Sequence, residues 1–334
     1  MGLGIARIII QRRVHRLHVM DIIVCMSTFD DNDIKLKPFY MWAGGKTRLL
    51  KYYRPIINTI MRDHNHIMEY VEPFFGGGAL YADMWNLYNN DLLYAINDVN
   101  TELMELLAVV KSDKVNDFMS ACKQYADEML ALDGKENRKT WYYDLRKKYW
   151  MQHDSMVSWE RSAMLFILMR TGFNGIWQSC VEANGLFATP AGLLNQTKVK
   201  QLFDESMLTG WHDALQHTEI YTGSYTDVNT ESMQSGKALI YLDPPYRHSF
   251  TTYGTGFNDE DQKALCEWMI TMHDAGNIIM MSNRTEDDDS FFKDLLPMAA
   301  FHDFDITYTA GRRKKHDDGS FTAKPAHEFL CVMD

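Results

Sequence analysis

The run Ala238–Leu242, followed at once by Asp243-Pro244-Pro245-Tyr246, constrains the fold of this 334-residue chain more than any other feature. The run is short and apolar, with β-branched and aromatic members, and it predicts a buried strand. Two adjacent prolines cannot continue a sheet, so the strand ends there. The turn therefore lies at the carboxyl end of a strand, which is the edge where open α/β sheets bind ligands.

This turn combines hydrogen-bond acceptors with an aromatic face. The prolines hold φ near about −65° and lack N–H donors, which leaves backbone carbonyls to accept. An aromatic amine placed there donates one N–H to the Asp243 carboxylate and the other to the Pro244 carbonyl, while Tyr246 stacks on the ring. These groups suit a base that is flipped out of a duplex. The alternative is a rigid turn in which Asp243 is a capping residue.

Three further segments place glycines or a carboxylate beside predicted strands. Residues 38–46 set a glycine pair between an aromatic stretch and Lys46. Residues 69–78 predict a strand that runs into the glycine turn 76–78. Asp98 follows the apolar residues 92–96.

The four segments, in this order, resemble the Dam family of DNA adenine N6-methyltransferases, which carry Ala-Gly-Gly-Lys, Glu-Pro-Phe-x-Gly-x-Gly, Asp-x-Asn and Asp-Pro-Pro-Tyr segments. Each motif alone is weak, but the ordered set is specific because chance matches multiply. The resemblance covers roughly residues 37–334. It implies a Rossmann-like α/β methyltransferase fold with a mostly parallel seven-stranded sheet and an antiparallel last strand. It also implies S-adenosyl-L-methionine as cofactor and double-stranded DNA as partner.

The glycine turn and Asp98 predict where the cofactor binds. Glycines at 76–78 permit positive φ and a close approach of backbone to ligand. The residues after Gly78 break the Gly-x-Gly-x-x-Gly pattern, which argues against a nicotinamide cofactor. An acidic residue about 20 positions beyond such a turn usually binds ribose hydroxyls, which assigns Asp98. The alternative for Asp98 is a cap on the helix that begins near Thr101.

The resemblance assigns the remaining cofactor contacts. In the family the tryptophan and lysine of the first segment lie against the cofactor, which points to Trp42 and Lys46. The alternatives are a core aromatic for Trp42 and a solvated lysine at a helix start for Lys46. The positions that match the family's cofactor-binding segments are Trp42, Lys46, Glu72, Phe74, Gly76, Gly78, Asp98 and Asp243.

Other chemistries are disfavoured. A Walker A phosphate loop needs glycine where Tyr40 stands, which argues against an ATPase. A cytosine C5 enzyme needs a nucleophilic cysteine, commonly after proline, and none of cysteines 25, 122, 180, 266 and 331 has that setting. Their spacing predicts neither a disulfide scaffold nor a metal site. The implied mechanism is direct methyl displacement, with Asp243, Pro244 and Tyr246 as catalytic residues.

The predicted strands enclose a long helical region. Strand patterns fall at Glu69–Glu72, 95–97, 219–222, Ala238–Leu242, 277–281, 304–309 and 328–333. Residues 111–215 lack comparable strands, and apolar spacing predicts helices at 103–110, 116–132 and 162–169. We expect residues 111–215 to form a target-recognition insert in a catalytic domain of residues 36–110 and 216–334. Residues 1–35 are interpreted as a dispensable extension; a transit sequence, a DNA-contacting arm or a start upstream of Met20 or Met26 remains open.

Within the insert, residues 170–175 and 185–192 resemble the family's Arg-x-Gly-[Tyr/Phe]-Asn-Gly loop and its Gly-x-Phe-x-x-Pro-x-Gly partner. They imply that Arg170, Phe173, Asn174 and Gln178 bind nucleic acid. Phe173 would wedge into a base step and Asn174 would contact phosphate or base edges. The alternative is a β-hairpin closed by Asn174-Gly175 with Phe173 in its core. GATC-specific members have an arginine suited to guanine where this chain has Gln178, whose amide pairs best with adenine, so we expect relaxed or altered specificity.

Charge and composition bear on the partners. The net charge of −11 is unusual for a DNA-binding protein, so the distribution of charge matters more than the sum. Window 135–170 holds eight basic against four acidic residues, and residues 312–315 are a second basic run. Both are predicted to face phosphates, and ordinary solvated faces are the alternative. No stretch is long and apolar enough to span a bilayer. We expect a cytoplasmic, nucleoid-associated enzyme that is a monomer or a weak homodimer.

Three other functions stay open at this point. A cytosine N4-methyltransferase and an RNA adenine methyltransferase use the same acceptor geometry, although Ser-Pro-Pro-Tyr is the commoner N4 pattern. A catalytically idle DNA-binding module would keep the fold. The intact Asp243, Pro244 and Tyr246 argue against the idle module.

Overall fold

The predicted strands form one seven-stranded sheet. The computed structural model describes residues 35–247, 256–285, 290–307, 314–315, 321–322 and 325–334. Its strands are β1 (Glu69–Glu72), β2 (Leu93–Asp98), β3 (Thr218–Thr222), β4 (Ala238–Leu242), β5 (Ile278–Thr285), β6 (Ala300–Thr307), β7 (Lys314–Lys315), β8 (Phe321–Thr322) and β9 (Pro325–Met333). The sheet runs in the order β3-β2-β1-β4-β5-β9-β6, and the short β7 and β8 pair with each other.

Strand directions agree with the predicted fold class. Neighbouring strands from β3 to β5 pair in parallel, whereas β9 lies antiparallel between β5 and β6. This mostly parallel sheet with an antiparallel last strand is the Rossmann-like methyltransferase arrangement, so the predicted fold is confirmed. The β7–β8 pair was not predicted.

Helices cover both faces of the sheet. They are α1 (Leu50–Asp63), α2 (Ala79–Tyr88), α3 (Thr101–Lys111), α4 (Val115–Ala131), α5 (Lys135–Gln152), α6 (Ser158–Thr171), α7 (Gln196–Val199), α8 (Glu205–Gln216), α9 (Glu231–Gln234), α10 (Asp259–Asp274) and α11 (Phe291–Leu295). The helices predicted at 103–110, 116–132 and 162–169 correspond to α3, α4 and α6. Helix α5 was not predicted, because its sequence is dominated by charged and aromatic residues and lacks a clear apolar stripe.

Strand β4 divides the core into two layers. All five of its residues are buried, and successive side chains point to opposite faces. Tyr241 packs in the apolar cluster that contains Tyr53 of α1, whereas Leu242 packs in the cluster that contains Leu265 of α10. Burial on both faces explains why this strand is a continuous apolar run in the sequence.

The order of strands reverses between β1 and β4. From this pair the chain proceeds outward to β2 and β3 on one side and to β5 on the other. Ligands of open α/β sheets bind outside the carboxyl ends of the strands at such a point. Glu72 ends β1 and Asp243 follows β4, so both residues lie where the topology predicts a ligand.

The region between α3 and β3 packs as part of the same core. Phe118 of α4 and Phe166 of α6 belong to the cluster that also contains Phe39 and residues of the sheet. A long loop, residues 172–195, connects α6 to α7, and we call it the recognition loop. The assignment of residues 111–215 as an insert with its own function remains a prediction.

Several sequence predictions fall on parts of the chain outside the described residues. These parts include residues 1–34 of the extension, residues 308–309 of a predicted strand, the acidic run 287–289 and residues 312–313 of the second basic run. Within the described ranges, none of the helices combines the length and the hydropathy that a membrane span requires.

Candidate active site

The corner at residues 243–246 keeps one proline carbonyl available. Gln262 of α10 donates from Nε2 to the carbonyl of Pro245 at 2.8 Å. Asn283 of β5 accepts from the backbone N–H of Arg247 at 3.2 Å, which fixes the chain just after the corner. No side chain in the described ranges donates to the carbonyl of Pro244. The acceptor predicted at Pro244 is therefore distinct from the carbonyl that braces the turn.

The Asp243 carboxylate is held by side chains from two other segments. Its Oδ2 accepts from Lys46 Nζ at 2.6 Å, and its Oδ1 accepts from Ser282 Oγ at 3.0 Å. Lys46 is 5% exposed and Asp243 is 24% exposed, so the carboxylate is reached from solvent although the lysine is not. These partners are side chains, so Asp243 is not a backbone cap as the alternative interpretation proposed. Lys46 is not solvated, which makes its alternative interpretation wrong as well.

A buried carboxylate fixes the hydroxyl of Tyr246. Tyr246 donates from its hydroxyl to Glu328 Oε2 at 2.9 Å, and Lys46 Nζ lies 4.8 Å from the centre of its ring. Glu328, on β9, is fully buried, and burial raises its pKa and that of Tyr246. Sequence reasoning missed both Glu328 and Ser282. The available signal was a polar residue at the end of an apolar run: Glu328 opens the strand predicted at 328–333, and Ser282 directly follows the strand predicted at 277–281.

The glycine turn is a site of close approach, and the group that approaches it is Trp42. Gly76 and Gly78 have φ of 49° and 63°, the left-handed region that glycine tolerates best. A Cβ on Gly77 would lie 2.6 Å from the Cβ of Trp42, and one on Gly76 would lie 2.9 Å from Trp42 Nε1. Tyr40 donates its hydroxyl to the Gly76 carbonyl at 2.7 Å. The structure therefore brings the first and second motifs together.

Asp98 connects the second and third motifs. Its Oδ2 accepts from the backbone N–H of Gly76 at 2.9 Å, and its Oδ1 accepts from that of Asn100 at 2.9 Å. Burial raises the pKa of Asp98, and these backbone donors act in the opposite direction. The residue that caps α3 is Asn100, whose side chain accepts from Leu103 N–H. The capping interpretation of Asp98 is therefore wrong, because Asp98 orders the glycine turn instead.

Glu72, the last residue of β1, and Phe74, just before the glycine turn, have different partners. Glu72 is buried and accepts from the Tyr70 hydroxyl at 2.8 Å. Burial raises the pKa of Glu72 well above its ordinary value, the negative charge of Asp243 adds to this, and the charge of Lys46 opposes it. Phe74 stacks on Tyr225, with ring centres 5.4 Å apart.

The raised pKa of Glu72 predicts a pH-dependent stability. A carboxyl whose folded-state pKa is raised stabilises the fold fully below its unfolded pKa, and this contribution is lost as pH rises through the folded pKa. We expect Glu72→Gln to change the melting temperature little near pH 4.5 and to raise it at pH 8, by about 1–2 °C for each 1 kcal/mol recovered. Thermal unfolding of the ligand-free protein at both pH values measures this, with the exposed Glu136→Gln as control. At each pH, the melting temperature of Glu72→Gln is compared with that of the unmodified protein. A change at pH 8 that is no more positive than the change at pH 4.5 would contradict the prediction.

The recognition loop is not a tight hairpin. Asn174 adopts a left-handed conformation, φ 54°, but it sits in a one-turn 3-10 helix, Phe173–Gly175. The two arms of the loop meet instead through isolated antiparallel bridges, Gly172 with Ala191 and Ser179 with Phe187. Phe173 is 47% exposed, so the interpretation that places it in a hairpin core is wrong. Gln178 is half-buried.

The recognition loop also contacts the first motif. Ala43 donates its backbone N–H to the Gly175 carbonyl at 2.8 Å. The rings of Trp42 and Trp177 lie 6.3 Å apart. Trp42 of the first motif thus contacts both the glycine turn and Trp177, the residue that precedes Gln178.

The arginines of the basic window are bound to protein groups. Arg170 donates to the Gln201 carbonyl at 2.7 Å, and burial lowers its pKa. Arg138, Arg146 and Arg161 likewise donate to carbonyl or carboxylate oxygens. Lys135, Lys139 and Lys147 are exposed. Phosphate contact by this window remains a prediction that the lysines support better than the arginines.

Comparison with known proteins gives the family. A family model described as the D12 class N6 adenine-specific DNA methyltransferase matches residues 42–310. The chain belongs to this family and is an adenine-specific DNA methyltransferase, which confirms the predicted resemblance and the predicted enzyme class. The match covers strands β1 to β6 and the recognition loop, and β9 lies beyond it.

The chain is also similar to named relatives over most of its length. It is 30% identical to the type II methyltransferase M.MjaIII of Methanocaldococcus jannaschii, over 90% of this chain and 99% of that protein. It is 30% identical to the type II methyltransferase M1.LlaDCHI of Lactococcus lactis subsp. cremoris, over 77% and 84%. It is 27% identical to the DNA adenine methylase of Haemophilus influenzae, over 80% and 85%.

Proposed function

We propose that this enzyme transfers the methyl group of S-adenosylmethionine to N6 of an adenine flipped out of double-stranded DNA, at the corner formed by Asp243, Pro244 and Tyr246. The observation that carries the proposal is the position of Asp243. Its carboxylate is solvent-accessible, lies at the switch point of the sheet and is bound by Lys46 of the first motif.

The residues of the corner have distinct roles in this proposal. The Asp243 carboxylate and the Pro244 carbonyl accept the two N–H groups of the amine, which favours a tetrahedral nitrogen with its lone pair free to attack. Lys46 and Ser282 each donate to one oxygen of the Asp243 carboxylate and hold the carboxylate in place. Glu328 fixes the Tyr246 hydroxyl, so the ring is oriented before a base arrives. S-adenosylmethionine supplies the electrophilic methyl group.

The residues at the switch point fit the proposed cofactor. Trp42, Lys46, Glu72, Phe74, Gly76, Gly78, Asp98 and Asp243 are proposed to hold it. Three contacts support this set, because they join distant segments at one sheet edge: Lys46 with Asp243, Trp42 with the glycine turn, and Asp98 with Gly76. A carboxylate beside positive-φ glycines suits a ribose on an exposed backbone turn.

The recognition loop is proposed to contact the DNA. Phe173 is exposed at the start of the loop, as a wedge between base pairs requires. Asn174 and Gln178 follow it, and Arg170 is proposed to act by anchoring the loop to Gln201. Relatives named type II methyltransferases and a DNA adenine methylase support duplex DNA as the substrate. We propose that the enzyme acts in the cytoplasm, on nucleoid DNA, as a monomer or a weak homodimer.

The direct test offers random-sequence duplex DNA and, in a separate reaction, random-sequence RNA, each with S-adenosylmethionine. Nucleoside mass spectrometry identifies the product, and sequencing of modified positions gives the site preference. N6-methyladenine in DNA is the expected product. N4-methylcytosine, methylation of RNA alone, or binding without transfer would contradict the proposal.

Gln178 predicts the base preference at one position of the site. An amide pairs best with adenine and an arginine with guanine, and each good bidentate pair is worth about 1–3 kcal/mol of discrimination. We expect Gln178→Arg to shift the preference at one position toward guanine by roughly 5- to 100-fold. Gln178→Ala is the matched control and should flatten the preference there. An unchanged preference in both variants would show that Gln178 does not read a base.

A further inference from the structure

The second arm of the recognition loop, residues 187–194, is bound along its backbone by one face of α5. Tyr142 donates its hydroxyl to the Thr189 carbonyl at 2.7 Å. Arg146 donates from Nη1 to the carbonyls of Ala188 and Thr189 at 2.6 and 2.7 Å. Trp150 donates from Nε1 to the Phe187 carbonyl at 2.8 Å.

The spacing of these donors explains the alignment. Arg138, Tyr142, Arg146 and Trp150 recur every four residues, which places them in one row along a helix. Arg138 extends the row to the end of the loop, where it donates to the Leu194 carbonyl at 3.2 Å. The row therefore follows the arm from Phe187 to Leu194. Its side chains donate hydrogen bonds to backbone carbonyls of the arm, which is not part of the sheet.

Arg146 is held rigidly in this row. Its guanidinium lies over the rings of Tyr143 and Trp150, 4.8 and 4.7 Å from their centres. Two aromatic faces and two carbonyl acceptors restrict its rotamer, so the arm it binds is restricted too. Because Nη1 of Arg146 already donates to two carbonyls of the loop, its hydrogens are not available to a DNA phosphate.

The bound arm in turn fixes the backbone of Gln178. Ala188 donates its N–H to the Gln178 carbonyl at 2.7 Å. Thr189 accepts the Gln178 N–H on Oγ1 at 3.1 Å and donates to the Ile176 carbonyl at 2.8 Å. The contacts form a continuous path from α5 through residues 188 and 189 to both backbone groups of Gln178.

We propose that Tyr142, Arg146 and Trp150 are positioning residues for sequence recognition: they hold the second arm so that Gln178 meets the DNA in one orientation. This inference rests on the proposed function of the recognition loop and deepens it. In this proposal the three residues act through the carbonyls of the loop and not by contact with the base or the cofactor. Their loss is expected to lower discrimination between bases, whereas loss of a phosphate contact lowers affinity uniformly across sequences.

The test compares neighbouring residues of α5. Arg146→Gln removes a cation together with its two carbonyl bonds, and Lys147→Gln removes a cation from an exposed neighbour. Tyr142→Phe is a milder, nearly isosteric variant that removes a single hydrogen bond, and Arg146→Lys is the conservative rescue. Each full-length protein is allowed to methylate random-sequence DNA, and the ratio of the methylation rate at the preferred site to that at the next-best site is measured. The affinity of each protein for S-adenosylhomocysteine is measured separately.

We expect Arg146→Gln to lower this ratio by roughly tenfold and Tyr142→Phe to lower it by about two- to fivefold, in line with the usual value of a hydrogen bond. Lys147→Gln should leave the ratio unchanged, Arg146→Lys should restore part of it, and cofactor affinity should stay within about twofold. If Arg146→Gln fails to fold, Tyr142→Phe decides. An unchanged ratio in folded variants, or the same uniform loss in Arg146→Gln and Lys147→Gln, would overturn the inference.

Hydrogen exchange separates this inference from the proposed function. The Ala188 amide should exchange faster in Tyr142→Phe than in the unmodified protein, whether or not the protein methylates DNA. Absence of methylation by the unmodified protein would refute the proposed function alone. Unchanged exchange at Ala188 and Gln178 would refute the positioning path alone.

Discussion

Asp243→Ala is expected to abolish methyl transfer in a protein that still folds. The carboxylate is the proposed acceptor for one N–H of the target amine, and nothing else at the corner replaces its charge. Removing one preorganised hydrogen-bonding group at a reaction centre costs on the order of 100- to 1,000-fold in rate. Loss of the acceptor also leaves Lys46 without its carboxylate partner, which adds to the effect. Incorporation of tritiated methyl groups into DNA measures the result.

The control for this experiment must separate folding from chemistry. Loss of the pair with Lys46 destabilises the fold, by less than the roughly 3–5 kcal/mol of a fully buried pair because Asp243 is partly exposed. Asp83→Ala makes the same change to a buried carboxylate paired with Arg54, between α1 and α2. We expect Asp83→Ala to lower the melting temperature and to keep the rate per folded molecule. Methyl transfer by folded Asp243→Ala at near the unmodified rate would remove Asp243 from the mechanism.

Gly77→Ala is expected to weaken cofactor binding by about tenfold or more. Its Cβ would lie 2.6 Å from the Cβ of Trp42, so the indole that covers the glycine turn must move. Gly77 is not among the glycines with positive φ, and the substitution therefore acts through space and not through backbone strain. Overpacking of this kind typically costs about 1–3 kcal/mol. Isothermal titration with S-adenosylhomocysteine and thermal unfolding measure both effects.

Gly256→Ala is the matched control. It makes the same chemical change at a described glycine where an added Cβ meets nothing within 4 Å. We expect it to leave cofactor affinity unchanged. Undiminished affinity in Gly77→Ala would mean that the contact between Trp42 and the glycine turn does not shape the cofactor site.

The central strands were predictable because they are buried on both faces. Strand β4 is buried at every position, and its predicted bounds match the structure. Strand β1 is also buried at all four positions, although it begins and ends with a glutamate, and the glycine turn that follows after three intervening residues helped to locate it. Burial on both faces turns a strand into an uninterrupted apolar run, and prolines or glycines then mark where the run ends.

Helix α5 shows where the sequence signal fails. Its buried face consists of Arg138, Tyr142 and Tyr149 together with Leu145, so hydropathy alone does not reveal the stripe. Arg138 and Tyr142 of that face donate to carbonyls of the recognition loop, and Tyr149 donates to Glu102 of α3, so their partners lie far along the chain. Spacing of four between arginines and aromatic residues was the available sign.

The partners of the site could not be read from local sequence. Ser282 and Glu328 come from β5 and β9, far along the chain from the motif they support, and only the sheet order brings them to Asp243 and Tyr246. The contact of Trp42 with the glycine turn likewise joins segments that the motifs predicted separately. Motif order identified which segments matter, and the fold determined how they touch.

A crystal structure with duplex DNA and the unreactive cofactor analogue sinefungin would show whether the corner binds the target amine. We expect a flipped adenine whose N6 lies about 2.7–3.2 Å from both the Asp243 carboxylate and the Pro244 carbonyl, with Tyr246 against its ring and the analogue beside the glycine turn. An adenine that remains stacked in the duplex, or an N6 that meets acceptors elsewhere, would contradict it.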